Sequence, residues 1–262
     1  MYNLLKLNLA RNSLRYIIQT YKIKELYIPY YLCKVIRTSI IKEHCKPVFY
    51  HIDDDFLPTI DFPENSFILY PDYFGICEKN ISKLLNKYNN LIIDNAHAFY
   101  SEPKGFACFN SARKFLPVYN GSYLWIKNHE LNFEEEQEHK SAPQNDKERE
   151  QCEISFENDE ILFLNKNEGK EILKFNDKEE RKIKFLQYHE KYKSFNLLDI
   201  DTETVISPFC YPCLLKDIEI ANNLVNELKQ QGLTIYRYWE KLPTDFPEYK
   251  FYERLVCIPL TQ

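Results

Sequence analysis

Residues 90–126 read NLIIDNAHAFYSEPKGFACFNSARKFLPVYNGSYLWI, and the fold is decided by this stretch. An apolar run, Leu91-Ile92-Ile93, delivers a carboxylate, Asp94, at its end, and Asn95-Ala96-His97-Ala98 follows. A second apolar run, Phe106 to Phe109, leads into Ser111-Ala112-Arg113-Lys114, and a third spans Ser122 to Ile126. An acid and a lysine, each just beyond a buried strand, point to a ligand site at the strand ends of an open α/β sheet, where such sheets bind.

Working upstream, Glu25 to Ile28 before Pro29, Lys46 to Ile52, and Ser66 to Tyr70 read as further short strands. Residues 32–43 carry Leu32, Val35, Ile36, Ser39 and Ile40 at helical spacing, and Asn80 can cap a helix bearing Ile81, Leu84, Leu85 and Tyr88. Asn12 or Ser13 can cap a helix with Leu14, Ile17, Ile18 and Tyr21 on one face. The Arg11-Asn12-Ser13 turn there is either the start of an ordinary surface helix or a seat for an anion. This strand–helix rhythm predicts a mostly parallel sheet covered by helices. With only 5 Gly in 262 residues, Gly75, Gly105 and Gly121 are the places to look for positive φ.

Downstream, residues 128–160 are acidic, polar and without apolar periodicity, which predicts a solvated loop or disordered insertion. Residues 177–193 read as an exposed helix and 205–215 as a strand despite its prolines. Residues 218–231 form an amphipathic helix with Gly232 as its C-cap. Leu233 to Tyr236 and Leu255 to Ile258 read as short strands. The expected organisation is a large α/β domain over 1–127, an acidic insertion over 128–176 and a small α+β domain over 177–262.

A net charge of −5 argues against nucleic acid or an anionic membrane as a general partner. No apolar run approaches the roughly 20 residues of a membrane span. The N-terminus lacks the pattern of a signal peptide, so a cytoplasmic protein with reduced thiols is expected. There is no phosphate loop, no GxGxxG and no HExxH. Cys210 and Cys213 match CxxC, but a zinc site needs a second ligand pair, so no metal is expected.

A lysine amine forms Schiff bases with carbonyl compounds, and a carboxylate paired with a protonated ring nitrogen keeps pyridoxal phosphate an electron sink. Those residue types are common, and the pattern around them narrows the choice. Leu9-Ala10-Arg11-Asn12-Ser13-Leu14 resembles the SGxxAL turn of the DegT/DnrJ/StrS sugar aminotransferases. Tyr27-Ile28-Pro29-Tyr30-Tyr31, Pro47 to Asp53 and Tyr73-Phe74-Gly75 resemble the same family's VPxxT, PVFxDID and H-x-Y/F-G segments. Ile93-Asp94-Asn95-Ala96-His97-Ala98 resembles its EDxAHA, and Ser111 to Pro117 the segment with its Schiff-base lysine.

The resemblance implies a fold-type I aminotransferase-like large domain and a homodimer. It implies pyridoxal 5′-phosphate as cofactor and transamination of a keto-sugar, nucleotide-linked, with an amino acid such as glutamate as donor. That chemistry belongs to amino-sugar or surface-polysaccharide biosynthesis. It makes Lys114 the catalytic lysine and Asp94 the partner of the pyridine nitrogen, and it sets His97 near the ring hydroxyl. Asn12 and Ser13 would bind phosphate through backbone N–H groups and a hydroxyl, with Ser111 a second hydroxyl donor, and Tyr30 or Tyr31 would stand in for the stacking aromatic. Tyr119-Asn120-Gly121-Ser122 departs from the family's glycine-rich turn, and Phe109 stands where a phosphate-binding serine often sits. These departures leave an alternative, a catalytically impaired relative serving as a binding or partner subunit.

Overall fold

Short apolar runs alternate with amphipathic ones, and the chain folds accordingly. The computed structural model describes residues 1–128, 142–143, 145–156, 160–239 and 242–261. The first part runs β1 (Tyr2–Leu7), α1 (Ala10–Tyr21), β2 (Glu25–Pro29), α2 (Lys34–Lys42), β3 (Lys46–Tyr50) and β4 (Ile68–Pro71). Then come α3 (Glu78–Leu85), β5 (Leu91–Asn95), β6 (Ala107–Asn110) and β7 (Ser122–Lys127). The second part holds α4 (Asp146–Ser155), α5 (Lys166–Ile172), α6 (Lys178–Tyr192), β8 (Cys210–Leu214), α7 (Ile218–Gln230), α8 (Tyr249–Arg254) and β9 (Leu255–Pro259).

Seven strands form one sheet in the order β1-β7-β6-β5-β4-β2-β3. The strands from β3 to β6 are parallel, while β7 and β1 add an antiparallel edge. At the centre, all five residues of β5 are buried, as the apolar run requires of a strand covered on both faces. Pro47 is tolerated because β3 is an edge strand. On one face Leu14, Ile17 and Ile18 of α1 pack with Ile92, Phe109 and Leu124. On the other, Ile93 and Cys108 join a core that includes Tyr211, Val256 and Ile258 of the antiparallel β8–β9 pair. The fold is α/β with a mostly parallel sheet.

The tyrosine-rich composition is spent in this second core. Tyr31, Tyr50, Tyr70 and Tyr73 are fully buried, and each hydroxyl donates to a backbone carbonyl, those of Tyr238, Leu69, Phe56 and Tyr31 respectively. A buried phenol is stable only when its hydroxyl finds such a partner.

Several elements differ from the sequence expectation. Strand β1 is added, with Leu5 and Leu7 buried and Leu4 and Lys6 outward. Helix α1 begins at Ala10 with Leu9 as N-cap, so Asn12 and Ser13 lie inside it. Helix α3 starts at Glu78, and Asn80 bonds Asp55 and Tyr70 instead of capping. Residues 233–236 make only an isolated bridge, Tyr236 to Cys257. The acidic region is not all loop: Asn145 caps α4 through the Glu148 N–H and Asn165 caps α5 through the Asn167 N–H. Phe156, Leu164 and Ile172 anchor that region in apolar surroundings. Residues 129–141, 144 and 157–159 of it lie outside the described residues. Gly75, Gly105 and Gly121 all have positive φ. Among the described residues no helix is long and apolar enough to cross a membrane.

Candidate active site

Three parallel neighbours, β4, β5 and β6, end at the same sheet edge. Asp72 follows the end of β4, Asp94 is the penultimate residue of β5, and Ser111 follows β6. Pro71 is in register with Asp94, and Asn95 with Asn110. A 3-10 turn at Ala112–Lys114 then carries the lysine back over the edge. The Ala112 N–H donates to the Gly121 carbonyl at 2.9 Å, which fixes that turn to the start of β7. Behind it, the buried Arg181 of α6 donates to the Phe115 and Phe209 carbonyls and to Thr261, and lies 4.5 Å from the Phe115 ring.

Asp94, His97, Ser111 and Lys114 line one cavity of about 330 Å³. Ala10 and Arg11 at the start of α1, Arg113, Leu32 and Cys33 line the same cavity. Arg11 and Arg113 both sit over the ring of Phe156, at 5.9 and 5.1 Å from its centroid. Two guanidiniums and a helix start without a side-chain cap are therefore neighbours in the cavity lining.

Electrostatics set the protonation states. Burial raises the Asp94 carboxyl, opposed by Lys114 and by the Ala96 N–H that donates to it at 2.9 Å. Burial lowers the Lys114 amine, with Arg113 adding and Cys33 and Asp94 opposing. Burial and then Lys114 hold His97 well below its ordinary value, so its imidazole is neutral. That ring stacks on Phe209 at 4.5 Å and 9° and runs parallel to Trp239, and its Nε2 has no partner among the described residues. A buried unpartnered nitrogen costs stability unless a ligand satisfies it.

Three of the expected site residues lie elsewhere. Asn12 is buried, its amide N–H groups donating to the Asn8 side-chain oxygen and the Glu160 carbonyl and its oxygen accepting from Arg15. The Ser13 hydroxyl shares a hydrogen bond with Ser122 at 2.7 Å. The Tyr31 hydroxyl donates to Tyr238, and Cys33 takes the place on the cavity wall. The cause is the earlier start of α1, which turns Ala10 and Arg11 to the cavity and Asn12 and Ser13 into the core. Arg113, Asp72 and Trp239 also line the cavity and, unlike Arg11 in its anion-seat turn, are not among the expected site residues. Arg113 adjoins Lys114, and Asp72 follows the apolar run of β4 much as Asp94 ends that of β5, which are the signals that point to them.

No protein-family model matches the sequence, and no curated protein matches it either. Solved structures do match. A Streptococcus pneumoniae protein assigned as a sugar aminotransferase, in its PLP form, superposes with a TM-score of 0.69 at 17% identity, over 99% of this chain and 82% of that one. Helicobacter pylori PseC, an aminotransferase in pseudoaminic acid biosynthesis, gives 0.67 at 16% identity over 98% and 81%. A DegT DnrJ EryC1 StrS aminotransferase from Brucella abortus gives 0.65 at 12% identity over 98% and 80%. The fold is the fold-type I aminotransferase fold. Within this aminotransferase fold the cavity lies at the strand ends, and its contents suit a phosphorylated pyridine aldehyde. A buried carboxylate, an amine of lowered proton affinity, a neutral imidazole with an unsatisfied nitrogen and two guanidiniums all open on one space.

Proposed function

We propose that this protein is a pyridoxal phosphate-dependent aminotransferase of the DegT/DnrJ/StrS type. Its acceptor is a nucleotide-linked keto-sugar and its donor an amino acid such as glutamate, in amino-sugar or surface-polysaccharide biosynthesis. One observation carries the reading: Asp94 and Lys114, from separate segments, meet in a single cavity at the strand ends of this fold. Pyridoxal phosphate, when bound, supplies the electron sink that lets the proton on an amine's α-carbon be removed. Asp94 would hold the ring nitrogen protonated, because a carboxylate so buried is stabilised by a cationic partner. Lys114, its amine lowered toward the working pH by burial, would take and return the proton. Arg11, Arg113 and the start of α1 would hold the phosphate, and Ser111 would add a hydroxyl. His97 would orient the ring through its unsatisfied nitrogen.

A second cavity of about 830 Å³ shares Arg113 and Lys114 with the first and is also lined by Lys174, Thr234, Tyr236 and Thr261. A space of this size, lined by polar groups as well as by Phe115, Leu116, Phe175 and Leu233, supports a bulky acceptor with both hydroxyls and apolar faces. The homodimer belongs to the same proposal.

The test is a half-reaction. The loaded protein is mixed with glutamate, and 2-oxoglutarate is measured against conversion of the bound cofactor to its amine form. Stoichiometric formation of both is expected, followed by reversal with a keto-sugar nucleotide. Loaded protein that releases no keto acid from glutamate or any other amino acid would exclude transamination.

A further inference from the structure

The reaction just described leaves one carboxylate of the cavity without a task. Asp72 lies at the end of β4 beside Asp94, and its N–H donates to the Asp94 carbonyl at 3.0 Å. Both residues line the cavity, with exposures of 3% and 7%. One Asp72 oxygen accepts the Cys77 N–H at 2.8 Å. Among the described residues no lysine or arginine forms an ion pair with it, and the nearby Lys104 is paired with Glu78. Burying a second carboxylate beside the first costs folding energy, and an apolar residue there would be cheaper. Such expense in a cleft marks function.

We propose that Asp72 is a positioning residue whose charge, set beside that of Asp94 on the paired strands, controls how tightly the cavity holds its anionic cofactor. The inference rests on the reading that the cofactor is pyridoxal phosphate. The groups that act on Asp72 come from every element around it: Cys77 and Glu78 from the α3 side, Asp94 from β5, and Lys104 from the β5–β6 link. Arg11, Cys33, His97, Arg113 and Lys114 are the other titratable groups of the cavity lining. Burial, aided by Glu78 and Asp94 and opposed by the Cys77 N–H and Lys104, raises the Asp72 carboxyl to about 7. Below that pH Asp72 is a neutral hydrogen-bond donor. Above it a second negative charge faces a ligand that already carries a phosphate.

The experiment measures the dissociation constant of pyridoxal phosphate, by quenching of tryptophan fluorescence, at pH 6 and pH 8.5. It uses the full chain, Asp72→Asn and Asp72→Ser. The asparagine oxygen can still accept the Cys77 N–H, and the serine variant carries the test if the first does not fold. The cofactor titrates in this range too, so the ratio of native to variant constants is the readout. A carboxylate coupled by about one pKa unit changes that ratio about tenfold between the two pH values. Native protein that loses affinity with pH by about that much more than both variants supports the proposal. Parallel pH curves for all three proteins overturn it and leave the cofactor reading intact. A native protein that binds no pyridoxal phosphate at either pH overturns both.

Discussion

Lys114 and Asp94 face opposite demands from the same burial: the amine loses proton affinity and the acid gains it. Replacing Lys114 by alanine should lower transamination by about 10²- to 10⁴-fold, the range for a lost general base, with the secondary structure retained by circular dichroism. Arg11→Ala and Arg113→Ala should each remove a charge-assisted contact worth about 1.5–3 kcal/mol. Binding of pyridoxal phosphate should then weaken by about tenfold or more, while unphosphorylated pyridoxal should bind both variants as it binds the native protein. Asp72 makes a stability prediction of defined sign. Unfolded, it loses its proton near 3.8; folded, it keeps it until about 7. Its stabilising contribution is complete below the lower value and is lost as pH rises through the upper one. Asp72→Asn should therefore gain melting temperature over the native protein as pH rises from 5 to 8, and the gain should shrink toward pH 4. Equal melting curves across that range would contradict the raised carboxyl. At this scale Asp94 and Lys114 were legible because each comes at or after an apolar strand, a signal that Asp72 shares after β4. Side chains in the first turn of α1 were not, because whether Arg11 or Asn12 faces the cavity depends on where the helix begins.

Elements place these residues, and two joints carry most of that work. The turn after β4 is held by Gly75, at φ +78°, where an added Cβ would lie 2.7 Å from the His97 carbonyl and 2.9 Å from the Pro208 Cα. Gly75→Ala meets both a left-handed backbone and a backbone clash. It should destabilise the fold by about 1–3 kcal/mol or more and loosen His97, read as a lowered denaturant midpoint with weaker cofactor binding. The second joint is Phe156, just past α4, buried under Arg11 and Arg113 and edge-on to Tyr119 at 5.2 Å. Phe156→Ala should cost about 3–5 kcal/mol if the site stays open, as buried phenylalanines do. The buried strands were readable because both their faces are apolar. Helix α4 was not, since its polar sequence has little apolar periodicity and it is held by a cap and by the one aromatic after it. Strand β1 escaped notice because a short alternating edge strand carries only Leu5 and Leu7 as evidence.

Across the whole molecule, the β–α rhythm of the first half was enough to anticipate a mostly parallel sheet, and the antiparallel edge of β1 and β7 was beyond it. Contacts between distant segments, such as Arg181 with Phe115 and Thr261, have no local signature at all. The proposed homodimer predicts a sedimenting species of twice the 31.6 kDa chain mass, and a monomer at micromolar concentration would count against it. The central claim is that this chain holds pyridoxal phosphate at Lys114. Its most direct test is borohydride reduction of the protein loaded with the cofactor, followed by peptide mass mapping. The account predicts a reduced pyridoxyl adduct on Lys114 and none in Lys114→Ala; an adduct spread over surface lysines, unchanged in the variant, would contradict it.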